Sequence, residues 1–123
     1  MPYTLAVHGD RVSFEATGTF SREEALQAIQ DMVGHPDFRP GLDVLVDMTA
    51  VDDVPMWGAD IRDKVDLDRS FLPKLGTARW AFVAPSDVVY GLARMYQALM
   101  GDTAIEGGTF RDLGAAEDWL AGR

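Results

Sequence analysis

Hydrophobic residues change their spacing along this chain, from every second residue to every third or fourth, and the two patterns then alternate. Residues 3–8 and 11–17 alternate apolar and polar side chains, which is typical of strands buried on one face. Gly9 and Asp10 separate these segments by the two residues that a tight turn needs. The sequence therefore predicts an N-terminal β-hairpin.

The first helical pattern follows the hairpin. Ser21 and Glu24 have the spacing of a capping box, in which each side chain hydrogen-bonds the other residue's backbone N–H. Apolar residues then recur at helical spacing until Gly34, which is placed for a C-terminal cap, and Pro36 blocks continuation. A helix is therefore predicted from Ser21 to about Gly34.

The later elements alternate between short apolar runs, typical of buried parallel strands, and helical patterns that begin with a cap or a proline. In chain order they are a strand at 44–46, a helix over 55–72 with Pro55 in its first turn and Pro73 after its end, a strand at 78–84, a helix capped by Ser86, a strand at 106–110 and a helix capped by Asp112. This order predicts one α/β domain spanning residues 1–123, with a mixed, mostly parallel sheet of four or five strands and about four helices.

Acidic residues outnumber basic ones: 20 Asp and Glu against 11 Lys and Arg give a net charge of −9. Because neutralisation of phosphates is the main source of affinity for nucleic acids, no nucleic-acid partner is expected. No apolar run approaches the roughly 20 residues that span a bilayer, so no integral membrane segment is expected. The first residues lack the pattern of a signal peptide, and the expected compartment is the cytoplasm.

The residue types that common catalytic centres need are scarce. The chain has no cysteine, and His8 and His35 are its two histidines, which excludes cysteine nucleophiles, disulfides and three-histidine metal sites. No serine lies in a Gly-x-Ser-x-Gly elbow. We therefore expect no enzymatic activity, no metal and no cofactor.

Three aspartates, Asp47, Asp52 and Asp53, lie in and after the predicted strand at 44–46. The carboxyl ends of strands are where α/β proteins place their sites, and clustered carboxylates suit Mg²⁺ or a phosphoryl group. The alternative is that Asp52 and Asp53 cap the following helix and favour its positive end. No other metal-binding pattern accompanies them, which favours the second interpretation.

The predicted helix over 55–72 combines a large apolar stripe with many charges, and the charged residues are expected to cover the rest of its surface. They are Asp60, Arg62, Asp63, Lys64, Asp66, Asp68 and Arg69. The helix is interpreted as a movable cover over an apolar cavity, and the alternative is an ordinary amphipathic helix packed on the sheet. Polar groups on the next helix would orient a ligand. The candidate ligand-binding residues are Met56, Trp57, Ile61, Val65, Phe71, Leu72, Tyr90, Arg94 and Tyr96.

Several short stretches have an order and spacing typical of a known fold family. They are Leu45-Val46-Asp47-Met48, Val83-Ala84-Pro85, the run from Tyr90 to Tyr96, Phe110-Arg111-Asp112-Leu113 and the run from Ala116 to Leu120. Together they resemble the STAS fold, and within it the SpoIIAA-like branch, which is described as STAS/Sec14-like. The resemblance covers nearly the whole chain and implies a non-enzymatic module.

Anti-sigma-factor antagonists of this fold carry an Asp-Ser-Ser-Gly stretch in which a serine is phosphorylated. Asp53 matches the aspartate, but Val54 and Pro55 stand at the serine positions and Met56 at the glycine position. Thr49 is nearby but lies outside the motif. We therefore expect no phosphorylation switch of the antagonist type.

Two functions remain in view from the sequence. The Sec14-like side of the resemblance implies a binding module for a small apolar ligand or lipid chain under the 55–72 helix, with transient membrane association through that helix. The alternative is a protein–protein interaction module of the antagonist type that has lost its phosphorylatable serine, and a homodimer is one form it would take.

Overall fold

Five strands form one sheet, and helices cover both of its faces, in the computed structural model, which describes residues 3–122. The strands are β1 (Tyr3–His8), β2 (Arg11–Thr19), β3 (Asp43–Asp53), β4 (Ala78–Val83) and β5 (Ile105–Phe110). The helices are α1 (Arg22–Val33), α2 (Gly58–Ser70), α3 (Leu72–Leu75), α4 (Asp87–Leu99) and α5 (Leu113–Ala121).

The strands lie in the sheet in the order in which they occur in the chain. β1 and β2 pair antiparallel as a hairpin with Tyr3 opposite Ala16, and the three remaining pairings are parallel. β1 and β5 are the edge strands. The prediction of a mixed, mostly parallel sheet with the hairpin at one end is confirmed.

The two faces of the sheet bury two separate hydrophobic clusters. Alternate residues of β3 and β4 point to opposite faces, so Val44 and Trp80 join the larger cluster, and Leu45 and Ala81 join the smaller one. Helix α2 contacts both α1 and α4, and these three helices cover the larger cluster. Helix α5 packs on β3 and β4 over the other face and closes the smaller cluster with Leu120.

The predicted helix caps are present as hydrogen bonds. The Ser21 hydroxyl accepts from the Glu24 N–H at 3.2 Å, and the Glu24 carboxylate accepts from the Ser21 N–H at 2.8 Å. The Ser86 hydroxyl and the Asp112 carboxylate each accept from the backbone N–H three residues on, at 3.2 and 2.8 Å. Each cap satisfies a backbone donor that the first helical turn leaves without a partner.

The helix predicted over 55–72 is shorter and begins later. Pro55 lies outside α2, and Trp57 is its extended N-cap residue, whose N–H is accepted by the Asp60 carboxylate at 2.8 Å. The helix ends at Ser70, and Pro73 lies inside the separate helix α3 instead of after the predicted helix. The predicted boundaries at both ends are therefore wrong.

The late start of α2 follows from the length of β3. This strand continues past the predicted apolar run because β2 extends beside it, with Thr17 opposite Ala50 and Thr19 opposite Asp53. Asp52 and Asp53 therefore belong to the strand, and the interpretation that they cap the next helix is wrong. Among residues 3–122, no helix has the length and apolar character needed to cross a bilayer.

Candidate functional site

An apolar cavity of about 110 Å³ lies between the sheet and the layer formed by α1, α2 and α4. Phe14, Val46 and Phe82 line it from the strands, and Met56 and Ile61 line it from the start of the α2 region. The strand residues and Ile61 reach the cavity because each occupies the inward position of its strand or helix, and Met56 reaches it from the segment before α2. The cavity lies where the sequence analysis expected a ligand, beneath the second long helix.

A group of hydrogen-bonded polar side chains lies beside the cavity. The Tyr96 hydroxyl donates to Asp68 Oδ2 at 2.5 Å, and the Lys64 ammonium group lies 2.9 Å from the same oxygen. Lys64 Nζ also donates to the Ala25 carbonyl oxygen at 2.9 Å. All four residues line the cavity, and their contacts join α1, α2 and α4. We call Lys64, Asp68 and Tyr96 the polar triad.

Burial and the neighbouring Asp68 determine the charge state of Tyr96. Asp68 is fully buried, and the Lys64 ammonium group and the Tyr96 hydroxyl satisfy its carboxylate. Burial raises the pKa of Tyr96 well above its ordinary value, and the negative charge and hydrogen bond of Asp68 raise it further. Tyr96 is therefore a neutral hydrogen-bond donor at physiological pH.

Some of the predicted ligand-binding residues meet at this cavity. Met56, Ile61 and Tyr96 line it and are buried. Val65 is buried in the same hydrophobic cluster but is not part of the lining. Phe71 is partly buried and packs against this hydrophobic cluster, and it is not part of the cavity lining.

The other predicted ligand-binding residues lie outside the cavity. Trp57 is 81% exposed, so it does not belong to the apolar stripe of α2. Leu72 is partly buried against the main cluster. The Arg111 guanidinium lies over the Tyr90 ring, 4.0 Å from the centre of that ring. Arg94 is exposed on α4. None of these four side chains lines the cavity.

Sequence reasoning missed Lys64 and Asp68. Both were counted among the charges of the solvent-exposed face, although Ile61, Val65 and Asp68 follow one another at the i, i+4, i+7 spacing of a single helix face. A charged residue on the buried stripe of a helix was the available signal. Since a buried carboxylate needs a partner, this signal also indicates Lys64, four residues earlier on the same helix.

The three aspartates in and after the predicted strand at 44–46 do not form a site. The Asp47 carboxylate accepts hydrogen bonds from the backbone N–H and the hydroxyl of Thr49, at 2.9 and 2.7 Å. Asp52 and Asp53 are exposed. Within residues 3–122, no three His, Asp or Glu side chains are grouped so that they could hold a metal ion.

Comparison with solved structures identifies the fold. The chain is similar to the crystal structure of an uncharacterised DUF3478-family protein with a SpoIIAA-like fold from Shewanella loihica PV-4. The TM-score is 0.59 at 20% sequence identity, over 96% of this chain and 91% of that chain. No protein-family model matches the sequence, and no curated protein matches it. The predicted SpoIIAA-like, STAS-like fold is confirmed.

Proposed function

We propose that this protein is a non-enzymatic binding module that holds a small apolar molecule in the cavity beneath α2. The cavity itself is the observation that carries the proposal. Apolar cavities of comparable size, about 150 Å³, remain dry and bind benzene. Burial of an apolar surface of that size is favourable without any catalytic group.

The volume favours a small molecule over a lipid chain. Pockets for drug-sized ligands have volumes of roughly 300–1,000 Å³, well above the 110 Å³ found here. A lipid chain would need α2 to move outward, and the contacts of Lys64 with Ala25 on α1 and of Asp68 with Tyr96 on α4 oppose that movement. Membrane association through α2 would require the same displacement.

The arrangement of polar side chains supports the absence of catalysis. Nucleophilic catalysis needs a base within hydrogen-bond reach of the nucleophile. His8 is exposed at the end of β1, and His35 Nδ1 accepts from the Asp37 N–H at 3.1 Å. Neither histidine lines the cavity. The polar triad joins helices, which is a structural role.

The test uses toluene as the probe and the methionine methyl groups as reporters. Met48 and Met56 line the cavity, and Met100 is buried outside it. We expect saturable ¹³C-methyl shifts at Met48 and Met56 during titration, with Met100 unchanged. Equal shifts at all three methyl groups, or no saturable shift, would contradict cavity binding.

A second candidate function is protein–protein interaction. Trp57 at the N-cap of α2 and Val88 in the first turn of α4 are 81% and 70% exposed, and burial of either side chain against a second chain would be favourable. Sedimentation of the native protein and of Trp57→Ser over a range of concentrations tests the homodimeric form. A native monomer at all concentrations would exclude that form.

A further inference from the structure

Strand β1 is a free edge of the sheet. It pairs with β2 on one side, and no other strand among residues 3–122 pairs with it. Within the same residues, no backbone group outside the hairpin hydrogen-bonds to β1. Its six residues include no Pro, Lys, Arg, Asp or Glu, and its register with β2 has no bulge. Natural edge strands usually carry one of these devices against pairing with another strand, so β1 is open to such pairing.

The opposite edge strand, β5, is protected. Glu106 places a charge in this strand, where its carboxylate pairs with Arg79 at 3.0 Å. Helices α4 and α5 pack on β5 from the two faces of the sheet. The Gln97 side chain also accepts from the Thr109 hydroxyl at 2.7 Å. A charged residue and flanking helices oppose strand addition, so β1 is the edge that a further strand would use.

The hairpin turn decides which backbone groups of β1 point outward. Two residues form the turn, and His8 and Arg11 are the pair that closes it. Such a closing pair exchanges backbone hydrogen bonds, and bonded and non-bonded pairs then alternate along the two strands. Ala6 is therefore bonded to β2, whereas the N–H and C=O groups of Leu5 and Val7 point away from β2.

The side chains of β1 divide between the two faces of the sheet. Leu5 and Val7 are partly buried against the larger hydrophobic cluster and keep some apolar surface exposed. Thr4, Ala6 and His8 point to the opposite face, where helix α5 packs on β3, β4 and β5. A strand added beside β1 would therefore meet apolar side chains on one face and small or polar side chains on the other.

We propose that β1 pairs antiparallel with β1 of a second copy of this chain, about a two-fold axis at Ala6. Leu5 of each copy then lies opposite Val7 of the other, and their outward N–H and C=O groups exchange hydrogen bonds. The contact between these two side chains completes the burial of the larger cluster at its edge. This inference rests on the interaction candidate above, to which it gives a surface and a partner, and it does not depend on ligand binding in the cavity.

Charge complementarity selects this register. In the hairpin, Thr4 lies opposite Glu15 and His8 lies opposite Arg11. With Ala6 on the axis, Thr4 of one copy neighbours His8 of the other, so the acidic end of each hairpin meets the basic end of its partner. A shift of two residues in either direction keeps the outward backbone groups facing one another but loses this match. A parallel arrangement would place like charges side by side, which is unfavourable.

The experiment places charges on the proposed axis. Ala6→Lys and Ala6→Glu each put two like charges face to face, and we expect either variant to raise the Kd for dimerisation about a hundredfold. An equimolar mixture of the two variants puts opposite charges across the axis and should restore dimerisation as a heterodimer. The matched control is Ser13→Lys, because Ser13 lies opposite Ala6 on the same face but one strand away from the axis. Sedimentation over a range of concentrations measures each protein and the mixture.

The outcomes separate this inference from the other interaction surfaces. The native protein and Ser13→Lys should sediment at twice the mass of one chain. A native monomer would overturn this inference and the homodimeric form together, and would leave cavity binding intact. A native dimer that survives Ala6→Lys but is lost in Trp57→Ser would overturn pairing through β1 alone. A mixture of the two charged variants that stays monomeric would contradict the register about Ala6.

Amide hydrogen exchange tests the same surface in the native protein without a substitution. The Ala6 N–H bonds to β2 in the monomer and in the dimer, so its exchange should be slow at every concentration. The Leu5 and Val7 N–H groups gain acceptors only in the dimer, and their exchange should slow about tenfold or more as the concentration rises through the Kd. Fast exchange at Leu5 and Val7 in a sample that sediments as a dimer would contradict the inference.

Discussion

The Tyr96 hydroxyl donates a 2.5 Å hydrogen bond to Asp68 Oδ2, and Asp68 is fully buried. This bond joins α4 to α2, and Lys64 extends the connection to α1 through the Ala25 carbonyl. A buried carboxylate is costly unless it is paired and hydrogen-bonded. The three helices over the cavity are therefore fixed relative to one another by a single buried charge and its partners.

Removing the carboxylate alone should be strongly destabilising. Asp68→Ala leaves the Lys64 ammonium group and the Tyr96 hydroxyl without their shared acceptor, and we expect a loss of about 3–5 kcal/mol in the free energy of unfolding. The measurement is urea denaturation followed by circular dichroism. The matched control is Asp63→Ala on the same helix, where the carboxylate pairs with Arg22 in solvent and its loss should matter far less.

Replacing the whole polar triad should cost little by comparison. Lys64→Met/Asp68→Leu/Tyr96→Phe substitutes apolar groups of similar volume for every partner, and such replacements are often neutral or stabilising. We expect the free energy of unfolding of this variant to equal or exceed that of the native protein. A loss as large as that of Asp68→Ala would show that the triad itself stabilises the fold.

Stability should depend on the ionisation of Tyr96 at high pH. Its pKa is raised in the folded protein, chiefly by burial, above the ordinary value of 10.0 that applies to the unfolded chain. Its contribution is therefore fully present below about pH 10 and is lost as the pH rises toward the folded pKa. Above pH 10, the free energy of unfolding should fall by about 1.4 kcal/mol per pH unit more in the native protein than in Tyr96→Phe.

Tyr3 provides the comparison for this pH dependence. Burial and a hydrogen bond to Asp31 raise its pKa as well, so its contribution is present in both proteins and cancels in their difference. Denaturant titrations at intervals from pH 8 to pH 11 measure the effect. Parallel curves for the native protein and Tyr96→Phe would contradict it.

Two glycines should respond in opposite directions to the same substitution. Gly76 has a φ of 70°, and an added Cβ would lie 2.9 Å from the Gly41 nitrogen. Gly76→Ala should cost at least about 1–3 kcal/mol, since only glycine adopts this conformation without strain. Gly91 lies inside α4 with nothing within 4 Å of an added Cβ, and Gly91→Ala should stabilise the protein by about 0.5–1 kcal/mol. Thermal melting of both variants decides the signs.

The sequence predicts the elements better than their boundaries. Alternation in the hairpin and the side-chain caps at Ser21, Ser86 and Asp112 are local signals, and they were confirmed. The start of α2 was not predictable locally. It depends on how far β2 and β3 remain paired, and the paired residues are about 30 positions apart in the chain.

Only part of the candidate site was predictable, for a similar reason. Ile61 was found because apolar side chains at helical spacing indicate a buried face. Met56 was predicted as an apolar residue at the start of the helix, and Tyr96 as a polar group on the next helix. Asp68 was assigned to the exposed face because its pairing depends on Tyr96, 28 residues further along the chain.

Filling the cavity should stabilise the protein and prevent ligand binding. Ala93 on α4 lines the cavity and is buried, whereas Ala98 on the same helix is exposed. We expect Ala93→Leu to raise the free energy of unfolding by about 0.5–2 kcal/mol and to abolish the toluene-induced shift at Met56. Ala98→Leu controls for the change in helix propensity and should retain the shift. Toluene binding by Ala93→Leu would place the probe elsewhere.

Replacing the exposed Trp57 should change the tryptophan fluorescence of the protein and have little effect on its folding. Trp57 is 81% exposed, while Trp80 is 5% exposed and Trp119 is partly buried. In Trp57→Phe we expect the emission maximum to shift to shorter wavelength and acrylamide quenching to weaken, because the remaining indoles are shielded. The free energy of unfolding should change by no more than about 0.5 kcal/mol, as is usual for surface substitutions. An unchanged spectrum would mean that Trp57 is covered in solution. If a second copy of the chain covers it, dilution would separate the copies, and the difference in acrylamide quenching between the native protein and Trp57→Phe would then grow.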